Sequence, residues 1–255
     1  MTPPRRFCCD EDLARFAYDG LDAEADLTRW RDGKLDPATR ELIEVVRREG
    51  VDGTRVLDIG AGVGAVHVSL LEPGAAGAVD VDASREYLAT ARSAAERLGL
   101  DGQVQYLYGD VVKLADELPP AEIVTLDSVI CCYPFLGPLL RAATRSRPRL
   151  VGITYPRDVW WMRAYMRLFN VAHAVRRSPA RYFTIGTRRS SGGWRAPATR
   201  AATRAGPGSG ASSCIAAPMS DDEPGGASEI SAQWLREQAR VRRSPCRPSQ
   251  SARRP

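Results

Sequence analysis

Four aspartates and one cluster of glycines in the first half of the chain carry the chemistry that this sequence offers. The run Asp58-Ile59-Gly60-Ala61-Gly62-Val63-Gly64-Ala65 stands where a short apolar segment, Val56 to Ile59, gives way to a helix-like stretch, Val63 to Leu71. Glycines there let the backbone turn tightly and approach a ligand, and a helix start presents unbonded N–H groups to it. The same glycines satisfy the loose dinucleotide pattern G-x-G-x-x-G/A, with Ala65 in the last place. Asp58 separates the two readings. Beside a pyrophosphate its carboxylate would be repelled, whereas a sulfonium or amino group would attract it. Asp82, 22 residues after Gly60, closes the second apolar segment, where a carboxylate can accept both hydroxyls of a ribose. Gly109-Asp110-Val111 follows the third segment and sets an acid where an adenine amino group could donate to it. Asp127 follows the fourth.

These residues need a frame that brings them to one edge, and the periodicity supplies one. Val56–Ile59, Ala78–Val81, Val104–Tyr108, Ile123–Leu126 and Leu150–Thr154 are short apolar runs of the kind that form buried strands. Between the second and third runs, Ser84 caps a helix with an apolar face of Tyr87, Leu88, Ala91, Ala94, Ala95 and Leu98, closed by Gly99. Strands that alternate with helices imply βαβ units, right-handed crossovers and a parallel sheet. In such a sheet, ligands bind at the carboxyl ends of the strands, where the four acids fall. Ahead of the sheet, residues 1–50 read as helical. Asp36-Pro37 gives an N-cap and first-turn proline, Leu42, Ile43 and Val46 give a stripe, and Gly50 ends it. After the sheet, Asp158 caps an expected helix over Val159–Val175, which is apolar nearly all round and expected to be buried against the sheet, with Trp160 and Trp161 as an alternative substrate-facing surface.

Charge divides the chain in two. Residues 181–255 hold 13 Arg against 5 acidic residues, while the first 180 residues hold 23 basic against 26 acidic ones. The overall net charge of +5 therefore describes the tail rather than the folded part, and a nucleic-acid partner is not expected beyond non-specific, salt-sensitive binding by that tail. No uncharged apolar run reaches the length of a membrane span, and the first residues lack the pattern of a secretory signal, so a cytoplasmic protein is expected. The six cysteines are Cys8, Cys9, Cys131, Cys132, Cys214 and Cys246. They are read as buried thiols. A four-thiolate site from Cys8, Cys9, Cys131 and Cys132 is the alternative, and no metal is expected.

With these residues in place, the run from Val56 to Gly64, then Asp82, then Gly109-Asp110, resembles the class I S-adenosylmethionine-dependent methyltransferases over roughly residues 51–160. The resemblance implies an α/β fold with a Rossmann-like, mostly parallel sheet and helices on both faces. It implies that Asp58, Gly60, Ala61, Gly62 and Gly64 surround the methionine and ribose of S-adenosyl-L-methionine. Asp82 and Ala83 would take the ribose and Asp110 and Val111 the adenine, with Asp127 also among the cofactor-binding residues. Cys8-Cys9, Val129 to Pro134 and Tyr155 to Trp161 are in addition similar to bacterial relatives of magnesium-protoporphyrin O-methyltransferases, which esterify a porphyrin propionate. The expected domains are a helical segment or lid over 1–50, the cofactor-binding domain over 51–183, and a disordered Arg/Pro/Gly/Ser-rich tail over 184–255. Family members usually finish with a further helix and a strand pair. Nothing in the tail resembles these, apart from a short helix expected over Ile230–Val241, so the sheet is expected to lack the pair. A shifted reading frame near residues 183–190 would produce such a tail, and translation of the other two frames would then restore strand-like sequence.

On the acceptor side the candidates are Asp127, Tyr133, Tyr155 and Arg157, with Arg157 the partner for an acceptor carboxylate. His67 and His173 are read as structural. The expected activity is methyl transfer to a small molecule, at a carboxylate or hydroxyl oxygen. Three other readings stand beside it. A nucleic-acid methyltransferase is disfavoured because Leu126-Asp127-Ser128-Val129 replaces the Asn/Asp-Pro-Pro-aromatic motif of exocyclic-amine enzymes. A nicotinamide-dependent oxidoreductase is disfavoured by Asp58. The third is a catalytically defective protein that binds the cofactor.

Overall fold

The computed structural model describes Leu13, residues 21–156, residues 160–177, Tyr182 and the backbone of residues 212–218. The sheet forms where the apolar runs predict it. Its strands are β1 (Arg55–Ile59), β2 (Gly77–Asp82), β3 (Val104–Tyr108), β4 (Ile123–Leu126), β5 (Leu150–Pro156) and β6 (Ser212–Pro218), in the order β3-β2-β1-β4-β5-β6. The first five are parallel, and β6 runs antiparallel to β5.

The helices are α1 (Ala23–Arg31), α2 (Pro37–Arg48), α3 (Ala65–Leu71), α4 (Arg85–Arg97), α5 (Leu136–Ala143) and α6 (Trp160–Val175). Side chains alternate across the strands, which divides the core. Val56, Ala78, Ile123 and Leu150 meet Leu42 and Val46 of α2 and Val66 and Leu70 of α3 on one face. Leu57, Val79, Val124 and Val151 meet Leu139 and Ala142 of α5 on the other. The caps are those expected. Asp36 accepts from the Ala38 N–H at 2.8 Å, and Ser84 from the Tyr87 N–H at 3.3 Å. Gly50 and Gly99, at φ +85° and +70°, end their helices.

Two expectations are corrected. The sheet does not stop at β5: Ser212–Pro218, inside the segment expected to be without strands, pairs with it. Local composition hides this strand, because a sheet edge with open N–H and C=O groups recruits a partner that its own β-propensity would not announce. One strand beside β5, rather than a pair, is seen among the described residues. Helix α6 is also not buried. Met162 is its one buried residue, while Trp160 is 78% and Leu168 69% exposed. Its all-round apolar pattern gives no direction to a burying face, and the sheet faces are already covered by α2, α3 and α5. Arg157, Asp158, Cys8, Cys9, Cys246, the side chain of Cys214 and the helix expected over 230–241 lie outside the described residues.

Candidate active site

Strand order reverses between β1 and β4, and there a cleft of about 690 Å³ opens at the carboxyl ends of the strands. Its floor is the glycine loop Gly60–Val63 with Val81, Ala83, Gly109 and Val111. Its far wall is the turn after β4, and α1 and the start of α2 lie across the front.

The loop is held from beneath. Asp58 is fully buried: its Oδ1 accepts from Thr125 Oγ1 at 2.7 Å, and its Oδ2 meets His67 Nδ1 at 3.0 Å. The carboxylate expected at the amino-acid end of a cofactor is therefore turned into the core, where it fixes β4 and α3. The buried His67 fits the structural role read for it, and its ring packs beneath Gly64. A Cβ on Gly64 would lie 2.8 Å from both His67 Cε1 and Nε2. With φ at +83°, Gly64 is a position for glycine on two counts.

Asp82 stands at the rim of the loop. Its two carboxylate oxygens accept from the Gly62 N–H at 3.2 Å and the Ser84 N–H at 2.7 Å. Asp110 accepts from the Val112 N–H at 3.0 Å and from Tyr133 Oη at 2.8 Å. Tyr133, an expected acceptor-side residue, lines the cleft with its hydroxyl bonded to Asp110. Burial, reinforced by the Asp110 charge, pushes its hydroxyl far above the ordinary phenol value, so it is a donor and not a base. Tyr155 packs against the core on the α5 side and does not line the cleft.

Asp127, another expected acceptor-side residue, also lines the cleft. Thr39 Oγ1 of α2 donates to its Oδ2 at 2.6 Å, and Thr154 Oγ1 of β5 donates to its Oδ1 at 2.5 Å. Thr154 Oγ1 in turn accepts from the Ser128 N–H at 2.7 Å, and Ser128 sits at φ +58°. A non-glycine residue in that region is strained, and this one turns the chain across the cleft. Burial raises the Asp127 carboxyl above the usual range, against the lowering effect of the two hydroxyls.

Sequence reasoning missed four parts of this site. Thr39 and Thr154 carry no signal, because one is a lone threonine in the first turn of a helix and the other a lone threonine in an apolar strand, and Thr39 lies 88 positions from its partner. Tyr87 lines the floor and donates to Asp26 Oδ2 at 2.6 Å, which ties α1 over the cleft. Tyr182 also lines the cleft. Asn170 of α6 holds it in two directions, donating to the Tyr182 carbonyl at 2.8 Å and accepting from its N–H at 2.9 Å. Among the described residues, no group of three or more possible metal ligands is found, and no helix is long and apolar enough to cross a membrane.

A nucleoside with a cationic sulfur fits this cradle. Gly60 and Gly62 carry no side chain that would fill it, and Val81, Ala83 and Val111 offer apolar walls to a base. Residues 56–146 match the family model described as methyltransferase domain. Similar solved structures include magnesium protoporphyrin IX methyltransferase from Synechocystis PCC 6803 with bound SAH. It is 15% identical, with a TM-score of 0.58, and the match covers 83% of this chain and 100% of that one. A candidate RNA methyltransferase from Pyrococcus horikoshii is 21% identical over 53% of this chain and 66% of its own, with a TM-score of 0.41. An S-adenosylmethionine-dependent methyltransferase from Mesorhizobium loti is 23% identical, with a TM-score of 0.39. That match covers 45% of this chain and 52% of the other, so this chain spans about half of that protein's length. No curated protein matches the sequence.

Proposed function

We propose, from the premise that this chain carries a class I S-adenosylmethionine-dependent methyltransferase domain, that it methylates a hydroxyl oxygen of a small molecule, with Asp127 receiving the hydroxyl proton. The premise sets aside the nicotinamide reading. The observation that carries the proposal is the Asp127 carboxylate, fixed between Thr39 and Thr154 where it lines the cleft.

The bound cofactor supplies an activated methyl group on a positively charged sulfur. This chain has to align the acceptor with it and exclude water. Asp82 with Ala83 would hold the ribose, Asp110 with Val111 the adenine, and Gly60, Ala61, Gly62 and Gly64 the methionine end. Asp58 and His67 position that loop from below. Each oxygen of Asp127 keeps a lone-pair direction beyond its threonine donor, so the carboxylate can accept a hydrogen bond from an incoming hydroxyl. Its raised pKa makes it a stronger base than an exposed aspartate. A carboxylate acceptor needs no base and would be repelled at this position, which favours the hydroxyl.

The test is S-adenosylhomocysteine release with planar hydroxyl and carboxylate acceptors, comparing the parent with Asp127→Asn. The expected result is hydroxyl turnover that falls by about 10²-fold or more in the variant. S-adenosylhomocysteine affinity should stay within about threefold. Because Asp127 must be ionised, activity should fall with decreasing pH at a limb above the ordinary carboxylate value. Turnover confined to carboxylates, or undiminished in Asp127→Asn, would overturn the proposal.

A further inference from the structure

Two thiols stand side by side on the far wall of the cleft, and the reaction above makes no use of them. Cys131 and Cys132 follow β4 on the turn that Ser128 sets, both are free, and both line the cleft. Their sulfurs converge on one atom. Cys131 Sγ lies 3.1 Å and Cys132 Sγ 3.5 Å from the Ser128 carbonyl oxygen, and Cys132 Sγ also lies 3.2 Å from the Val129 carbonyl. The turn is anchored by the bond from the Ser128 N–H to Thr154, the residue that also holds Asp127. The pair is thus preorganised by the machinery of the site.

We propose that Cys131 and Cys132 form a two-thiolate site for a soft, thiophilic metal or metalloid centre at the acceptor end of the cleft. Thiolates select soft centres over hard ones. No third protein donor completes a cluster among the described residues, so the fitting centre is one that two thiolates satisfy. A trivalent arsenic with one organic substituent is such a centre. With an organoarsenic oxide, two As–S bonds form and two S–H bonds break. The oxygen leaves as water with both thiol protons, and nothing is oxidised or reduced. One thiolate attacks first and the neighbouring thiol, held at the same carbonyl, closes the ring. A filled site would stand beside Asp127 and block the acceptor.

The probe is phenylarsine oxide, one equivalent on the full-length chain, read by intact mass and peptide mapping. The expected product is a single arsenic adduct on the peptide that contains Cys131 and Cys132. It should survive 2-mercaptoethanol and be removed by 2,3-dimercaptopropanol. Cys131→Ser and Cys132→Ser should each weaken binding by roughly 10²-fold or more, since one thiol loses the effective concentration of its neighbour. The Cys8→Ser/Cys9→Ser protein should keep the adduct. Mapping of the unmutated chain decides the matter even if a serine variant folds poorly. An adduct found elsewhere, release by the monothiol, or equal binding by well-folded single variants would overturn the site.

Discussion

Gly64 joins the loop to its support, and a methyl group there has nowhere to go. Gly64→Ala must hold φ near +83° and displace the buried His67 ring 2.8 Å away. The expected cost is about 1–3 kcal/mol in urea unfolding, together with weaker S-adenosylhomocysteine binding in calorimetry. Asp80 gives a second prediction at this scale. Both of its carboxylate oxygens are buried without a hydrogen-bond partner among the described residues. Burial, then the charges of Asp82 and Asp58, push its carboxyl well above the usual range. The folded protein therefore keeps a proton that the unfolded chain releases near about pH 3.9. Below that value both states are protonated. Between it and the raised folded value, stability falls with rising pH by up to about 1.4 kcal/mol per unit. Asp80→Asn should accordingly melt above the parent at pH 8 and close to it at pH 4. A difference that does not grow with pH would count against this. The sequence announced the glycines and the acids at the strand ends, because spacing alone carries them. It did not announce that Asp58 faces the core, since a carboxylate at a strand end has two directions open to it.

Between elements, close approach decides what is tolerated. A Cβ on Gly152 of β5 would fall 2.6 Å from Leu42 Cδ1 of α2, and Leu42 is fully buried. Gly152→Ala should push α2 outward, with an expected loss of about 1–3 kcal/mol and a shift of Thr39 away from Asp127. Thermal melts and turnover would report the two effects separately. The bond from Tyr87 to Asp26 plays the same part for α1. Tyr87→Phe should loosen α1 over the cleft and weaken S-adenosylhomocysteine binding by about threefold to tenfold, the worth of one typical intramolecular hydrogen bond. Unchanged affinity would place α1 outside the binding unit. At this scale the caps Asp36 and Ser84 made α2 and α4 legible. The eight-residue α5 escaped, because it offers barely two turns of periodicity after Pro134. Helix α6 was legible as a helix and misleading in its burial, because a pattern without a polar face cannot say which neighbour exists.

Over the whole molecule, β6 determines how the sheet ends. Its ladder covers β5 from Leu150 to Pro156, and β5 would otherwise present an open edge. A chain ending at residue 211 should melt lower and scatter light in a concentration-dependent way, because an open edge pairs with other chains. An identical melt would mean that β6 lies outside the cooperative unit. The architecture was readable from strand–helix alternation, whereas β6 was not, since its pairing partner lies more than fifty positions earlier in the chain.

The distance from Thr39 to Asp127 has a consequence for how the protein is made. Helix α2 leaves the ribosome carrying Leu42, Ile43, Val45 and Val46, and its seat includes Ile123 and Leu150. At about 5–20 residues per second, roughly 5–20 s of synthesis separate the helix from its last partners. For that interval the stripe destined for the middle of the protein is exposed to the cell, so the yield of folded protein depends on translation speed as well as on the final structure.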